Sequence, residues 1–421
     1  MAFDTAVSGL RASTAELGVI GNNIANSATA GFKTSRAQFS DLYAAGVLGT
    51  GVNAIGKGVS LSSVAQQFTQ GNISFTENSL DVAINGNGFF ILDDNGSRSY
   101  SRSGQFGVDK EGYVVNPEGL RLQAFQSDNA GRVVQQEGPL RLDTNLISPA
   151  ATTGVEIVAN IDSREVPPPS AWGGPYDAFA TPPTEPTSDM YNASTSTTVY
   201  DDLGNPHILS TYWVKTANAG EWNAHTMIDG VSTSGPEVLT FEQNGQFDLS
   251  SGPVELNINN WQPRNKDGSI VNVSPQNFTV DLSSNTQFGS PFAVSAINQD
   301  GFASGQLRGI EIDESGIVFA QYTNGEARAL GQVILANFSN PQGLQPQGNS
   351  KWSETFNSGV PVVGAPGTAG RGVLQSGALE DSNVEITEEL VAMIVAQRNF
   401  QANAQVIQAE DAVTQAVINL R

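Results

Sequence analysis

Several stretches of this chain come close to the spacings that phosphate and metal chemistry require. Gly51-x-x-x-x-Gly56-Lys57 has the glycines and the lysine of a phosphate-cradling loop. That loop also needs a Ser or Thr hydroxyl after the lysine to hold magnesium, with a strand before it and a helix after it. Gly58 stands in the hydroxyl position and the preceding residues are rich in Gly and Ala, so the stretch reads as a connector. Gly86-x-Gly88 runs straight into Phe89-Phe90 without a third glycine, which removes a dinucleotide site. Asp93-Asp94-Asn95-Gly96 and Asn298-Gln299-Asp300-Gly301 set carboxylates and amides beside a glycine, as calcium loops do. Neither has carboxylates at positions 1, 3 and 5 with a closing Glu at 12, so turn chemistry accounts for both.

Nucleophilic and acid–base chemistry fares no better. The chain has no Cys and only two His, His207 and His225. Disulfides, thiol catalysis, thiolate metal sites and a histidine-rich centre are therefore excluded. Among 42 acidic residues no pair stands out as general acid and base, and Ser, His and Asp assemble into no nucleophile motif. Pro183-x-x-Pro186 lies in a proline-rich stretch and reads as loop. The expectation is a protein that is not an enzyme and carries no cofactor and no metal. A formal net charge of −22 argues against nucleic acid and against anionic membrane surfaces, because both need Lys/Arg patches. No run of about 20 apolar residues is present, so no membrane insertion is expected. The first residues lack a basic start, an apolar core and a cleavage site, so no removable secretory signal is expected.

What the sequence does carry is a pattern at its two ends. Phe3, Leu10, Leu17 and Ile24 recur every seven residues, and so do Ile386, Met393, Phe400 and Ile407, with Leu390 between the first two. On a helix such spacing gathers the side chains into one stripe, a seam for a packing partner. The second stripe lies in a run from Val384 to Leu420 without Gly or Pro. Ser382 with Glu385 fits a capping box at its start. Small residues occupy much of the remaining helix surface (Ala6, Ala12, Ala15, Val19 and Ala25; Ala392, Ala396, Ala402, Ala404 and Val413) and would admit close neighbouring helices. Helices held by one seam are marginal in water. The terminal pair is therefore expected to self-assemble with other copies.

Between the ends the chain is nested. Axial helices are expected over 1–26 and 382–421, with Gly-rich connectors at 27–70 and 359–381. In the first connector Gly31, Gly46, Gly49, Gly51, Gly56 and Gly58 work against long regular structure. A β-rich inner domain is expected over 71–148 and 285–358. Strand signals lie at Leu80–Ile84 and Phe89–Leu92, hairpin turns at Asn85-Gly86, Asn87-Gly88 and Asn95-Gly96, and a further turn at Asp109–Gly112. Ser103-Gly104-Gln105-Phe106 with Asp109…Gly112 is echoed by Ser304-Gly305-Gln306-Leu307 with Asp313…Gly316, as two flanks of one body. An inserted all-β outer domain, barrel or sandwich, is expected over 149–284, after a loop marked by Pro167-Pro168-Pro169 and Pro182-Pro183. The fold class is mixed and mainly β, with the terminal helices packed in coiled-coil fashion.

Four matches in order then give a resemblance. Ser8-Gly9-Leu10…Asn22-Asn23-Ile24-Ala25-Asn26…Thr29…Gly31-Phe32-Lys33 resembles the N-terminal motif of the bacterial flagellar axial family, which builds rod, hook and hook–filament junction. The others are Phe68-Thr69-Gln70-Gly71…Leu80–Ile84…Gly88-Phe89-Phe90, Gly377-Ala378-Leu379-Glu380…Ser382-Asn383-Val384, and Gln397-Arg398…Phe400-Gln401-Ala402-Asn403-Ala404. The large insert, with Tyr200-Asp201-x-Leu203-Gly204-Asn205-Pro206-His207, and the Leu335–Leu344 stretch are similar to the hook branch. The resemblance implies a curved, flexible hollow tube of many copies that passes motor torque to the filament. It implies rod and hook–filament junction proteins, a hook cap and the flagellar type III export apparatus as partners. It places the chain in the flagellum outside the cell, exported without signal cleavage, and puts Phe3 and Val7 in the register of an export motif. Rival expectations are a distal rod or junction protein, and a β-rich adhesin or glycan-binding surface protein.

Overall fold

The computed structural model describes residues 2–42, 56–94, 96–128, 131–143, 145–251 and 254–419. Gly46, Gly49, Gly51, Asn95 and Leu420 lie outside the described residues. The chain divides into two compact units. One comprises Met1–Thr144, Arg308–Gln321 and Ala327–Arg421, and the other Asn145–Leu307 with Tyr322–Glu326.

In the first unit, helix α1 spans Ala2–Ala25 and helix α2 spans Ile386–Asn419. Asp4 in the first turn of α1, and Glu388 and Glu389 in that of α2, place negative charge at each helix's positive end. The capping box expected at Ser382 is not formed. Its Oγ accepts from the Val384 N–H at 3.3 Å in a short turn, and the helix begins at Ile386. Between Asn26 and Val59 the structure also departs from a plain connector. Ser35–Asp41 and Val59–Gln66 pair antiparallel as a hairpin that packs on α1. Gly58 permits this close approach: its φ is +111°, and a Cβ there would meet the Ser8 Oγ at 2.1 Å.

The β-rich part of this unit is stitched together by pairings between distant segments. Arg121–Ser127 pairs with Ala327–Val333, Phe89–Asp94 with Leu335–Asn337, and Ser97–Ser101 with Lys351–Ser353. Val82–Asn85 and Ile73–Phe75 pair with Val373–Ser376 and Ala378–Glu380. Segments from both sides of the insert thus pair in one unit, but the echo does not mark two flanks of it: Ser103–Phe106 lies in this unit, whereas Ser304–Leu307 belongs to the second. Asp109 and Asp313 close the same turn, each accepting the N–H four residues on at 2.8 Å. The Asn-Gly signals at 85–88 do not make a hairpin. Val82–Asn85 turns away to a partner nearly 300 residues later, and Gly86 and Gly88 supply positive φ at the bend. Local turn propensity is satisfied there, while buried apolar pairing chooses the partner.

The second unit is a β-sandwich. Ala193–Tyr200, Pro206–Lys215, Glu221–Ile228 and Val231–Thr240 form an antiparallel meander. Glu255–Trp261, Gln276–Asp281, Gly154–Asn160 and Ala293–Gln299 form the second sheet. Alternate residues of both enter one core, including Leu209, Trp213, Trp222, Leu256, Ile258 and Val280. The carboxylate of Asp300 accepts the Thr153 and Gly154 N–H groups at 2.8 and 3.0 Å, fastening the start of Gly154–Asn160 to the segment that follows Ala293–Gln299.

Candidate assembly interface

The two helices of the first unit run antiparallel. Gly9 abuts Asn403, and Asn23 donates to Glu389 Oε1 at 3.0 Å. These contacts lie two heptads apart on each helix, in opposite chain directions. Ala396, between Asn403 and Glu389 in the same register, is wholly buried. On α1 the buried row is Ala6, Ser13 and Ile20, displaced by three from the stripe visible in the sequence. Small residues allow the close approach at Gly9, where a Cβ would lie 2.6 Å from the Asn403 side chain, while Ile20 fills the seam further along.

The sequence-predicted stripes therefore flank the seam. Leu10, Leu17, Ile24, Met393, Phe400 and Ile407 are half-buried, whereas Phe3, Ile386 and Leu390 are about half-exposed. Val391, Ile394 and Val395 extend the exposed apolar face of α2. Val7 is half-buried, and Gln397, Arg398 and Asn22 point to solvent.

The remaining motif residues form a polar clasp between the two chain ends. Asn23, almost fully buried, exchanges two hydrogen bonds with the Ser35 backbone, donating at 2.8 Å and accepting at 2.9 Å. Asn26 ends α1 by donating to the Asn22 carbonyl and accepting from Thr29 Oγ1. Gly31 follows at φ +68°, where a Cβ would strike the Ser103 N at 2.4 Å. Its N–H donates to the Glu380 carbonyl at 2.7 Å, and Phe32 beside it is half-buried. Lys33 is buried and donates to Glu380 Oε1 and the Thr69 carbonyl, both at 2.7 Å. Arg102, also buried, donates to Glu380 Oε2 at 3.2 Å, and the Gly71 N–H donates to Oε1 at 2.9 Å. Asn383 accepts from Thr34 N–H and Oγ1 and donates to the Gln67 and Thr69 carbonyls.

Two cations thus share one carboxylate in a dry site. Burial lowers the pKa of Lys33 and of Arg102, while the Glu380 charge and hydrogen bonds pull both back up. Burial also raises Glu389, against the Asn23 amide that favours its charged form. Lys33, Glu380 and Asn383 stood within the sequence motifs. Arg102, Glu389 and the Ala6–Ser13–Ile20 row did not. A second apolar or small row three residues off the first was the available signal for that row.

Four family models match stretches of the chain in order. Residues 3–33 match the flagella basal body rod protein family, and 83–160 the flagellar hook protein FlgE/F/G D1 domain. Residues 160–302 match the flagellar basal body protein FlaE D2 domain, and 375–420 the flagellar basal body rod FlgEFG protein C-terminal family. The flagellar hook protein FlgE of Escherichia coli K12 is 38% identical over 427 residues, covering 100% of both chains. The chain belongs to the flagellar hook protein family. FlgE of Salmonella typhimurium LT2 is likewise 38% identical over 431 residues, again covering 100% of both chains. FlgE of Borreliella burgdorferi is 32% identical over 456 residues, covering 99% of this chain and 98% of its own. The crystal structure of Helicobacter pylori FlgE2 has a TM-score of 0.53 at 15% identity, covering 73% of this chain and 100% of that one, and shares the fold. Hook-family membership makes this chain a structural subunit of the flagellar hook, located in the flagellum outside the cell.

Proposed function

We infer that the chain polymerises through its terminal helices into a curved, flexible hollow tube, the joint that carries torque from rod to filament. The observation that carries this is the incomplete burial of the helix pair. One narrow seam is covered within the chain, while Phe3, Ile386, Leu390, Val391, Ile394 and Val395 remain half-exposed on a solvent face. Apolar rows of this extent gain by being covered, at about 25 cal/mol per Å². With a net charge of −22, copies repel at long range, so association needs a specific contact. In this reading 1–26 and 382–421 are the axial layer of the tube. The rod, junction and cap proteins contact the tube's ends, and its role is mechanical, without catalysis. Phe3 and Val7 are read by the export apparatus before the chain folds.

Point variants keep the clasp intact and so test the idea better than deleting 1–24 and 386–421, which removes both Asn23 and Glu389. Ile394→Glu with Val395→Glu is expected to abolish tubes in electron micrographs of concentrated protein while leaving the circular dichroism of the monomer unchanged. Tubes of ordinary length from that variant would show that the helix faces do not drive assembly.

A further inference from the structure

Outside the helices, one segment of the first unit presents an apolar side chain completely to water. Phe356 is 100% exposed and Val360 83% exposed, with Val362 beyond them also exposed. The turn that carries them is fastened on both sides. The Thr355 N–H donates to Ser358 Oγ at 2.9 Å, and Ser358 Oγ donates to the Thr355 carbonyl at 2.8 Å. Thr355 Oγ1 donates to the Gly343 carbonyl at 2.5 Å, and Asn340 Nδ2 to the Asn357 carbonyl at 3.0 Å. Ser358 itself is wholly buried. The phenylalanine therefore stands on a rigid mount, so little ordering entropy is lost when it is covered.

The surroundings favour one occupant. From Thr355 to Gly370 sixteen consecutive residues carry no charge, in a chain whose formal net charge is −22. An uncharged patch spares two copies of such a chain the repulsion between facing carboxylates. A cationic partner would be drawn to acidic surface instead. Strand addition is also blocked at this place. Val362–Gly364 pairs with Leu335–Asn337 on one side. On the other, Arg371 donates to the Val362 and Ala365 carbonyls. Contact there must be made by side chains.

We propose that the Thr355–Val362 turn is an intersubunit knob, with Phe356 its anchor, covered by a second copy of this chain. This rests on the hook-subunit reading and adds a contact outside the terminal helices. The test places a photoreactive phenylalanine analogue at 356 in the full chain, within hooks purified from cells that make it. Irradiation is expected to give a covalent dimer of the chain in hooks and none in dilute monomer. Phe356→Ser is expected to raise the protein concentration needed for tube growth roughly 10- to 100-fold, since a buried aromatic is lost from each contact. It should not move the monomer's thermal midpoint, because Phe356 touches nothing there. Visible hooks without a dimer, a crosslink to a different protein, or an unchanged threshold for the Ser variant each overturn the knob while the hook reading stands. Absence of any tube from the unsubstituted chain, in cells and in vitro, removes both.

Discussion

The clasp between the chain ends and the core of the insert are both dry interiors built from opposite materials. In the insert, Leu209, Trp213, Trp222, Leu256 and Val280 meet across two sheets, and stability follows apolar area. In the clasp, Lys33 and Arg102 converge on Glu380 across 347 and 278 residues of sequence. Burial of ions contributes little net stability but strongly penalises any arrangement that leaves one unpaired. The first material gives the second unit an apolar core of its own. The second fixes a single register between two chain ends that otherwise meet through one thin seam.

Breaking the clasp should have the largest effect. Glu380→Ala leaves two buried cations without their carboxylate and is expected to cost roughly 3–5 kcal/mol. Hydrogen exchange should rise in α1, α2 and Ser35–Gln66 but not in the insert. Leu256→Ala, at about 3 kcal/mol, should do the reverse and loosen only the two sheets of the insert. If either variant loosens both units equally, the chain unfolds as one block and the contrast fails.

Acid sharpens the comparison next. His225 is stacked on Trp172 at 4.3 Å, and burial lowers its pKa to about 4. The unfolded chain, with an ordinary histidine near 6.5, takes up a proton first. Insert stability from this group is therefore full above about pH 6.5 and falls as pH drops towards 4, by at most roughly 3 kcal/mol. His207 acts in the opposite sense. Burial disfavours its charge, but the 2.6 Å hydrogen bond to Asp229, with Asp229 and Asp201 charges nearby, raises its pKa overall. Its contribution is complete below about 6.5 and is lost as pH rises through the raised value. Denaturant midpoints of the insert should thus peak near pH 6.5, and His225→Gln should flatten the acid limb alone. A midpoint that keeps rising above pH 8 would contradict the His207 geometry.

The smallest effect concerns the thin seam. Gly18 faces open space on α1, with nothing within 4 Å of a built Cβ. Gly18→Ala should raise the monomer's stability by about 0.5–1 kcal/mol through helix propensity alone, read by thermal melting. A lower melting temperature would mean that the position meets a neighbour.

Much of this was legible in local pattern. The helices at both ends and the β-rich middle stood out because periodicity and turn chemistry act over a few residues, whereas Asn23, Gly31, Lys33, Glu380 and Asn383 stood out as a set through the family resemblance. The hairpin within 27–70 was hidden, since its strands are separated by Gly-rich sequence and are stabilised by packing on α1. The Asn85–Gly88 turns were visible, but their strand's partner at Val373–Ser376 was not.

By itself, then, the sequence determined that both chain ends are helices carrying apolar stripes and that the middle is rich in strands. Which row becomes the seam was decided only in three dimensions. Close approach at Gly9 and Ala396 favours the Ala6–Ser13–Ile20 row and leaves the heptad stripes at its margin. The meeting of Lys33, Arg102 and Glu380 was likewise settled by the fold. A buried charge must find its counter-charge wherever in the chain it lies, and no local pattern records that distance.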